Sequence, residues 1–496
     1  MRKHQLFYLL VCFFLTFLWI PAMSQEDDEA GNGFDAVNPM EQVSNLGANF
    51  GMTSVGGQNY IGFRINPEIS LLKFGVGLDI PIMFNLEDGK FRTDEFKDGV
   101  GIFRMIRYVR YGVKKRDPFY IRLGDISGAY LGYGMLLNNY TNSYSYEKRK
   151  LGISMDILIK KKFGLELVYS DVDLRSANLF AIRPYIRPFG ATGIPIVKTL
   201  DIGISYVTDH DVTKLVVDGK TIQNDFIVDG MGGYGADMGL YFINNRWVRL
   251  SGFMQYAGLL KNSSFKFDSA RHAIAGEIAL DPSKEEIYGA TPDFIRGYKD
   301  GTGFSTGLDL KVNIIGETFR ADARIERLFY TDYFKPQFFD AIYEMDKDSA
   351  LFGLALAHEK KGIYGSLSAI VLQKISLTGS VMFPDKFGPG NPGAFQLYLD
   401  ASRLLKTIAL SGTYIKGGLT VFAMNEVFKL DQRSLLNMTL AYKIKPWLLV
   451  GIDYRWTWSK TETGEFKASN YIMPHIGLRY PLGIAKEDHG EEGTDY

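Results

Sequence analysis

From Tyr60 to Leu482, apolar and polar residues alternate in run after run. The clearest pair lies near the end. In Trp447 to Trp458 one phase reads Leu448, Val450, Ile452, Tyr454, Trp456, Trp458, and the other reads Trp447, Leu449, Gly451, Asp453, Arg455, Thr457. Successive side chains of a strand point to opposite faces, so this run predicts a strand with one apolar and one mostly polar face. The preceding run sets Leu436, Met438, Leu440, Tyr442 and Ile444 against Asn437, Thr439, Ala441 and Lys443. Only Lys445-Pro446 intervenes, a tight turn. Two strands of about 10–12 residues with aromatics near their ends have the length of a membrane-spanning hairpin. A hairpin of a soluble β-sandwich also alternates, so the choice rests on the whole chain.

The whole chain repeats the pattern. Leu200, Ile202, Ile204 and Tyr206 oppose Asp201, Gly203 and Ser205. Phe304, Leu308, Leu310, Val312 and Ile314 oppose Ser305, Asp309, Lys311 and Asn313; Phe319, Ala321, Ala323 and Ile325 oppose Arg320, Asp322 and Arg324. Leu151 to Ile159 and Phe163 to Tyr169 form a hairpin around Lys160-Lys161-Lys162, and Leu351 to Ala357 reads as a further strand. Turns alternate between very short and long, as in barrels with periplasmic turns and extracellular loops. Three connections are long: His210 to Gly233, Lys261 to Asp300 and Thr331 to Asp348. The second carries a helix-start signal, Asp281-Pro282. The third places Phe338 with Ile342, and Phe339 with Tyr343, one helical turn apart. A short amphipathic loop helix that narrows a pore, a helix at the lipid headgroups and a loop packed on its own rim all fit. Gly128 to Tyr140 is rich in glycine, which suits close backbone approach or a sharp bend in a curved sheet.

Composition narrows the class. Aromatics reach 14%, with 35 Phe and 29 Tyr, beside 53 Gly, which suits β structure with aromatic belts and not a helical enzyme. Arg2 and Lys3, the apolar run Leu6 to Ile20, and Ala22-Met23-Ser24 read as a secretory signal over 1–24. The single cysteine, Cys12, lies inside it, so the mature chain is expected to have no disulfide or thiol chemistry. Residues 25–58 read as a flexible periplasmic segment or small plug, 59–483 as the barrel and 484–496 as an acidic tail. Gln25 to Ser44 carries six acids and no base, and Lys486 to Tyr496 nets −4. The mature chain has 54 bases and 56 acids once Arg2 and Lys3 are removed, so the part between nets +8.

Catalytic patterns are missing: no Gly-x-Ser-x-Gly, His-Glu-x-x-His or Walker loop occurs, and the histidines lie too far apart in sequence for metal-ligand spacing. No enzyme activity, metal or cofactor is expected. The polar phase supplies the pore-lining candidates Asp201, Asp309, Lys311, Arg320, Asp322, Arg324, Lys443, Asp453, Arg455 and Arg479. Arg104, Arg107 and Arg122 join them from a basic cluster that also holds Arg110, Lys114, Lys115 and Arg116. Arg104, Arg107 and Arg110 are three apart and cannot share one strand face. Phe338, Phe339, Ile342 and Tyr343 are the loop-constriction candidates. Charge facing lipid at the midplane costs ~2–4 kcal/mol, so the charged phase must face water or partner charges inside a closed barrel. Pairing across the wall fits as well as transport.

These features resemble bacterial outer-membrane β-barrels of the signal-peptide-plus-porin type found in Bacteroidetes-like bacteria, over essentially Tyr60 to Leu482. The acidic tail after Leu482 departs from the usual terminal aromatic strand end. The expected fold is all-β, a transmembrane antiparallel β-barrel of roughly 16–22 strands with long extracellular loops. The resemblance implies a porin-like channel in the outer membrane of a Gram-negative bacterium, passing small polar solutes by passive diffusion. The charge of the central part leans it toward anions. The alternative is a plugged structural barrel, an interaction or anchoring subunit of the envelope; a barrel enzyme acting on lipid is a third reading. Implied partners are outer-membrane lipid and lipopolysaccharide, the barrel-assembly machinery and small polar solutes, with no nucleic acid. Homo-oligomerisation is compatible with the pattern.

Overall fold

The computed structural model describes residues 45–481. Excepted are the connections 94–104, 144–149, 173–178, 262–300, 315–318 and 461–465, much of 210–230 and 346–359, and short gaps elsewhere. In chain order the first strands are β1 (Asn45–Val55), β2 (Gln58–Leu71), β3 (Phe74–Leu78), β4 (Ile80–Asn85), β5 (Ile106–Tyr111), β6 (Phe119–Gly124), β7 (Gly152–Ile159), β8 (Phe163–Tyr169), β9 (Phe180–Ile186) and β10 (Asp201–Asp209). The connection that follows carries four two-residue strands, β11 (Thr213–Lys214), β12 (Val216–Val217), β13 (Lys220–Thr221) and β14 (Ile227–Val228), in two small pairs. The wall resumes with β15 (Met231–Asn244), β16 (Val248–Lys261), β17 (Thr302–Ile314), β18 (Phe319–Tyr330), β19 (Lys360–Val371) and β20 (Ile375–Pro384). It ends with β21 (Gly393–Asp400), β22 (Ile408–Leu419), β23 (Ser434–Lys445), β24 (Leu448–Lys460) and β25 (Phe466–Pro481).

Each wall strand pairs antiparallel with its chain neighbours, and the ladder from Asn45↔Pro481 to Gly51↔His475 joins β1 to β25. The sheet therefore closes and has no edge, which is what a spanning sheet needs in a solvent without hydrogen-bonding partners. β3 and β4 flank Asp79 and meet β2 in one register, Glu68↔Gly77 and Ile65↔Ile80, so they form one crossing. The barrel thus has 20 strands. One end carries short turns such as 160–162, 245–247 and 446–447; Lys160 and Lys161 make theirs with φ of 52° and 57°. The other end carries the long connections 86–105, 125–151, 210–230, 262–301 and 331–359. By the usual asymmetry the long-loop end is extracellular.

Among the described residues the outward phase is apolar around the circumference except for Arg327, Lys361 and Lys416 at the long-loop end of β18–β22. Ile204, Ile325 and Ile472 are about three-fifths exposed, and Leu308, Leu367, Leu440 and Ile452 nearly half. In water such a belt would be an aggregation surface; a surrounding hydrocarbon layer removes the cost. Aromatics mark both boundaries, with Tyr442 and Trp447 at the short-turn end and Trp456 against Trp458 (ring centroids 5.9 Å) at the other.

Four expectations need correction. Residues 45–55 are not part of a loose segment; they form β1. Its apolar phase Leu46, Ala48, Phe50, Met52 alternates with Asn45, Gly47, Asn49 and Gly51, and glycine and amide residues hid it. Of Leu351 to Ala357 only Leu354 and Ala357 are described, and both are buried in an internal core and outside the wall strands. Pro336 to Met345 forms turns and a bridge, not a helix: Gln337 sits at φ 56°, and the Phe339 backbone bonds to Leu136 and Asn138. Gly128 to Tyr140 makes no bend in the sheet; its glycines serve close backbone approach instead, in a loop folded into the barrel. The signal, the acidic tail and Asp281-Pro282 lie outside the described residues.

Candidate functional site

The inner wall divides into two arcs. On β7–β18 most inward positions are sealed, the main exceptions being Lys311, Asn313, Arg320 and Asp322 at the short-turn end of β17 and β18. Arg183 on β9, 1% exposed, gathers three carboxylates. Its Nη1 donates to Glu166 (2.7 Å), Nη2 to Asp201 (2.5 Å), and Nε and Nη2 to Asp237 (2.9 and 2.5 Å). Arg187 adds a longer bond to Asp201 (3.3 Å), and the Tyr185 hydroxyl donates to Asp156 (3.2 Å). A shared guanidinium fork suits this, because each carboxylate taken out of water needs a charged donor. Further round, Arg324 pairs with Glu326 (2.6 Å) and lies over the Phe253 ring (4.5 Å), while Gln255 bridges Ser305 and Glu326.

Two loops complete the seal. The 125–143 loop dips inward: Gly132 N–H donates to Glu166 (3.2 Å), Met135 N–H to Gln255 (3.0 Å), and Arg324 to the Tyr133 carbonyl. Lys114 reaches the Tyr130 carbonyl (2.9 Å) from the opposite end. Tyr133 stacks on Phe253 at 4.5 Å. Gly132 has φ 58°, and a Cβ there would meet Asp237 Oδ2 at 2.7 Å; at Gly239 a Cβ would meet the Tyr133 hydroxyl at 1.6 Å. Both glycines are needed for the loop to lie against the wall.

The 331–359 loop packs beside it. Phe334, Phe338 and Phe339 are fully buried, Phe338 and Phe339 cross edge to face at 5.0 Å, and Leu137 bridges Phe339. The Tyr343 hydroxyl and Lys347 both donate to Asp209 (2.8 Å each), Lys150 pairs with Glu344 (2.7 Å), and Tyr140 donates to Glu344. Burial first, then Asp209, pushes the Tyr343 phenol well above its ordinary value, so it stays a donor. The loop-constriction residues thus enter the barrel, Ile342 reaching as far as Gly417 on β22. They enter as turns locked to the wall.

On β19–β25, β1 and β2, most inward polar positions are half-buried instead: Ser368, Thr378, Ser380, Gln396, Thr413, Asn437, Thr439, Asp453 and Arg455. Thr439 donates to Asp453 (2.6 Å), and His475 Nδ1 lies 3.2 Å from Asp453 Oδ2. Beside this arc, β2–β6 form a basic wall. Arg64 makes a fork to Asp79 (2.5 and 2.8 Å), Arg107 pairs with Glu68, and Arg122 lies 4.2 Å from the ring centroid of Tyr108. Arg110 is also inward, donating to the Gly112 carbonyl (2.9 Å).

The remaining sequence candidates fall as follows. Arg104 lies outside the described residues, and so does the side chain of Arg479, whose backbone pairs with Gly47. Arg107 and Arg110 both reach the interior although three apart, because the register shifts between Gly77 and Leu78 where β3 meets β5; this corrects the one-face argument. Asp201, Asp309 and Arg324 face inward but are sealed. Lys311 and Asp322 are cross-strand partners at 3.9 Å, and Arg320, half-exposed, lies 3.9 Å from Asp322. Lys443 caps the 401–407 turn through the carbonyls of Ser402 (2.5 Å) and Leu405 (2.8 Å). Sequence reading missed Arg183, Glu166 and Asp237. Arg183 alternates with Ile182, Pro184 and Ile186, a signal that was available; that three carboxylates converge on it was not.

No family model and no curated relative matches the chain. Solved structures do match, at low identity. Wzi, an outer membrane protein involved in group 1 capsule assembly in Escherichia coli and a carbohydrate-binding β-barrel, is 11% identical at TM-score 0.35, over 89% of this chain and 86% of that one. The outer membrane protein OpdK of Pseudomonas aeruginosa is 10% identical at TM-score 0.29, over 88% and 98%. CdiB from Acinetobacter baumannii is 9% identical at TM-score 0.26; the match covers 88% of this chain and 60% of CdiB. The closed sheet and its apolar belt decide the class. The chain is an outer-membrane β-barrel. Its interior, not its likeness to any one of these proteins, is where its function has to be sought.

Proposed function

We propose that the barrel is a porin-like channel whose passage runs along the β19–β25, β1 and β2 arc, past the basic wall of β2–β6. One observation carries this reading: polar inward positions are mostly half-buried on that arc and mostly sealed on the opposite one. The passing species are small polar solutes moved by passive diffusion. Five bases, Arg64, Arg107, Arg110, Lys114 and Arg122, of which Arg110 and Lys114 are buried, stand against Asp79, Glu68, Asp117 and Asp125 on the basic wall. That imbalance favours anions, since a water-filled cleft lined by one sign of charge concentrates the other. No step of this function uses a cofactor.

The internal loops favour a second reading. Fully buried aromatics across the extracellular half would suit a plugged barrel serving as an anchoring subunit. Conductance of the purified protein in a planar bilayer with a salt gradient separates the two. Stable steps with an anion-selective reversal potential support the channel. Steps with cation preference would remove the charge argument, and silence from folded, inserted protein would favour the plug.

A further inference from the structure

The short-turn end of the barrel is basic where β19–β24 turn back. Residues 372–376, 400–408 and 443–448 hold Lys374, Arg403, Lys406, Lys443 and Lys445, with Asp400 as the one acid, so these segments net +4. Lys374, Arg403, Lys406 and Lys445 are exposed. Among the described residues Lys374, Lys406 and Lys445 have no ion-pair partner. Like charges gathered on one edge repel, and an opposite charge brought alongside removes that cost.

Both ends of the wall leave at this same edge. Asn45 of β1 pairs with Pro481 of β25; Leu478 of β25 pairs with Leu448 of β24, which in turn pairs with Lys445 of β23. Lys445 is therefore two strands from Leu478, roughly 10 Å at the usual spacing, and the 401–407 turn begins one strand further on. Beyond Pro481 the chain carries Glu487, Asp488, Glu491, Glu492 and Asp495 against Lys486, net −4. Extended, the stretch from Pro481 to Glu487 reaches ~20 Å and residues 482–496 reach ~50 Å. Edge and tail thus carry equal and opposite charge, joined by a short tether. Residues 25–44 are acidic too, but Glu26, Asp27, Asp28 and Glu29 stand sixteen or more residues before Asn45. Effective concentration falls with tether length once the gap is spanned, which favours the tail.

We propose that the basic edge formed by the β19–β24 turns is the docking seat of this chain's own acidic tail, Glu487 to Asp495. The tail lies across the Lys374, Lys406 and Lys445 ammonium groups as an electrostatic strap at the periplasmic mouth. The inference rests on the closed wall and its register and does not depend on conduction. Cys12, inside the expected signal, is the single cysteine, so introduced cysteines can carry a pair of spin labels. The test places them at Gly490→Cys in the tail and Thr407→Cys in the turn, in the full mature chain in nanodiscs of zwitterionic lipid. At low salt the distance distribution should hold a narrow, short population, and 1 M salt, with a Debye length of about 3 Å, should convert it to a broad one. Lys374→Gln, Lys406→Gln, Lys445→Gln together should lower the ratio of short to broad about fivefold or more, the combined effect of three exposed ion pairs. Glu487→Gln, Asp488→Asn, Glu491→Gln, Glu492→Gln should do the same without touching the wall. Lys160→Gln, Lys161→Gln, Lys162→Gln, an equal charge loss at the β7–β8 turn, should change the ratio little. A broad distribution in the parent at low salt, or a short population indifferent to either the edge or the tail substitutions, would overturn the proposal. A short distance from a label at Ala36→Cys in place of Gly490→Cys would give the seat to residues 25–44. Loss of the short population in nanodiscs of anionic phosphatidylglycerol would give it to lipid headgroups. Either result overturns the assignment to the tail. Heat-modifiable mobility on gels checks that each variant folds.

Discussion

Asp201 and Asp453 are the same residue type, on the inward phase of similar strands, yet they sit in different surroundings. Asp201 is sealed, bonded to Arg183 and Arg187 and crowded by Glu166 and Asp237. Asp453 keeps a quarter of its side chain accessible and is bonded to Thr439. The difference is made by neighbours far away in sequence. Two loops fill the lumen against β7–β18, touch the other arc at Tyr364, Gln396 and Gly417, and leave most of it more accessible. Alternation therefore tells which way a side chain points, and packing tells whether it meets water, a loop or a counter-charge. On the sealed arc, charge contributes to architecture. On the open arc, charge keeps part of its surface accessible.

The largest effect should come from breaking the sealed arc at its centre. Arg183→Met strands three buried carboxylates and should cost about 3–5 kcal/mol, the usual result of removing one partner from a buried ion network. Thermal unfolding of the detergent-solubilised barrel measures it. Asp453→Asn on the open arc should cost under ~1 kcal/mol. Equal losses in the two variants would erase the distinction between the arcs. Next is Phe338→Ala, which opens a cavity between the loops and should cost about 3 kcal/mol or somewhat more. If those loops restrict the lumen, the same variant should raise single-channel conductance; unchanged steps would confine the restriction elsewhere.

Ile452→Arg puts a charge into the lipid belt and should cost ~2–4 kcal/mol, because its face has no counter-ion. Loss of that size on the outside, beside tolerance of Arg455→Gln on the inside of the same strand, would sharpen the inside–outside assignment. Arg122→Glu should leave stability nearly unchanged and move the reversal potential toward cations. A collapse of folding instead would place the basic wall with the sealed arc. The smallest effect is at the rim. Asp385 is held below its unfolded value by Arg327, so its stabilisation is complete above about pH 4 and fades as pH falls through the lowered folded value. Asp385→Asn should therefore lower the unfolding midpoint slightly at neutral pH and abolish its further drop on the acid side.

The sequence by itself determined the class of fold and the two faces of each clear strand. A period of two over strands long enough to span a membrane has few alternative solutions once a closed sheet must hide its backbone from lipid. The register of β24 against β23, the inward turn of Asp453 and Arg455, and the outward turn of Ile452 and Trp456 all follow from it. β1 escaped notice because small and amide residues can fill an inward phase without looking like a strand. Tertiary structure alone decided what occupies the lumen. The 125–143 and 331–359 loops are apolar on no regular period, so nothing local told that Phe338 would be buried beside Leu137 and not in lipid. It also decided which inward charges are sealed. Arg183 meets Asp201 and Asp237 only because β9, β10 and β15 are consecutive staves of one wall, and Arg107 turns inward only because β3 and β5 slip by a residue. Direction is a property of the strand, written every second residue; environment depends on what closure of the barrel brings together.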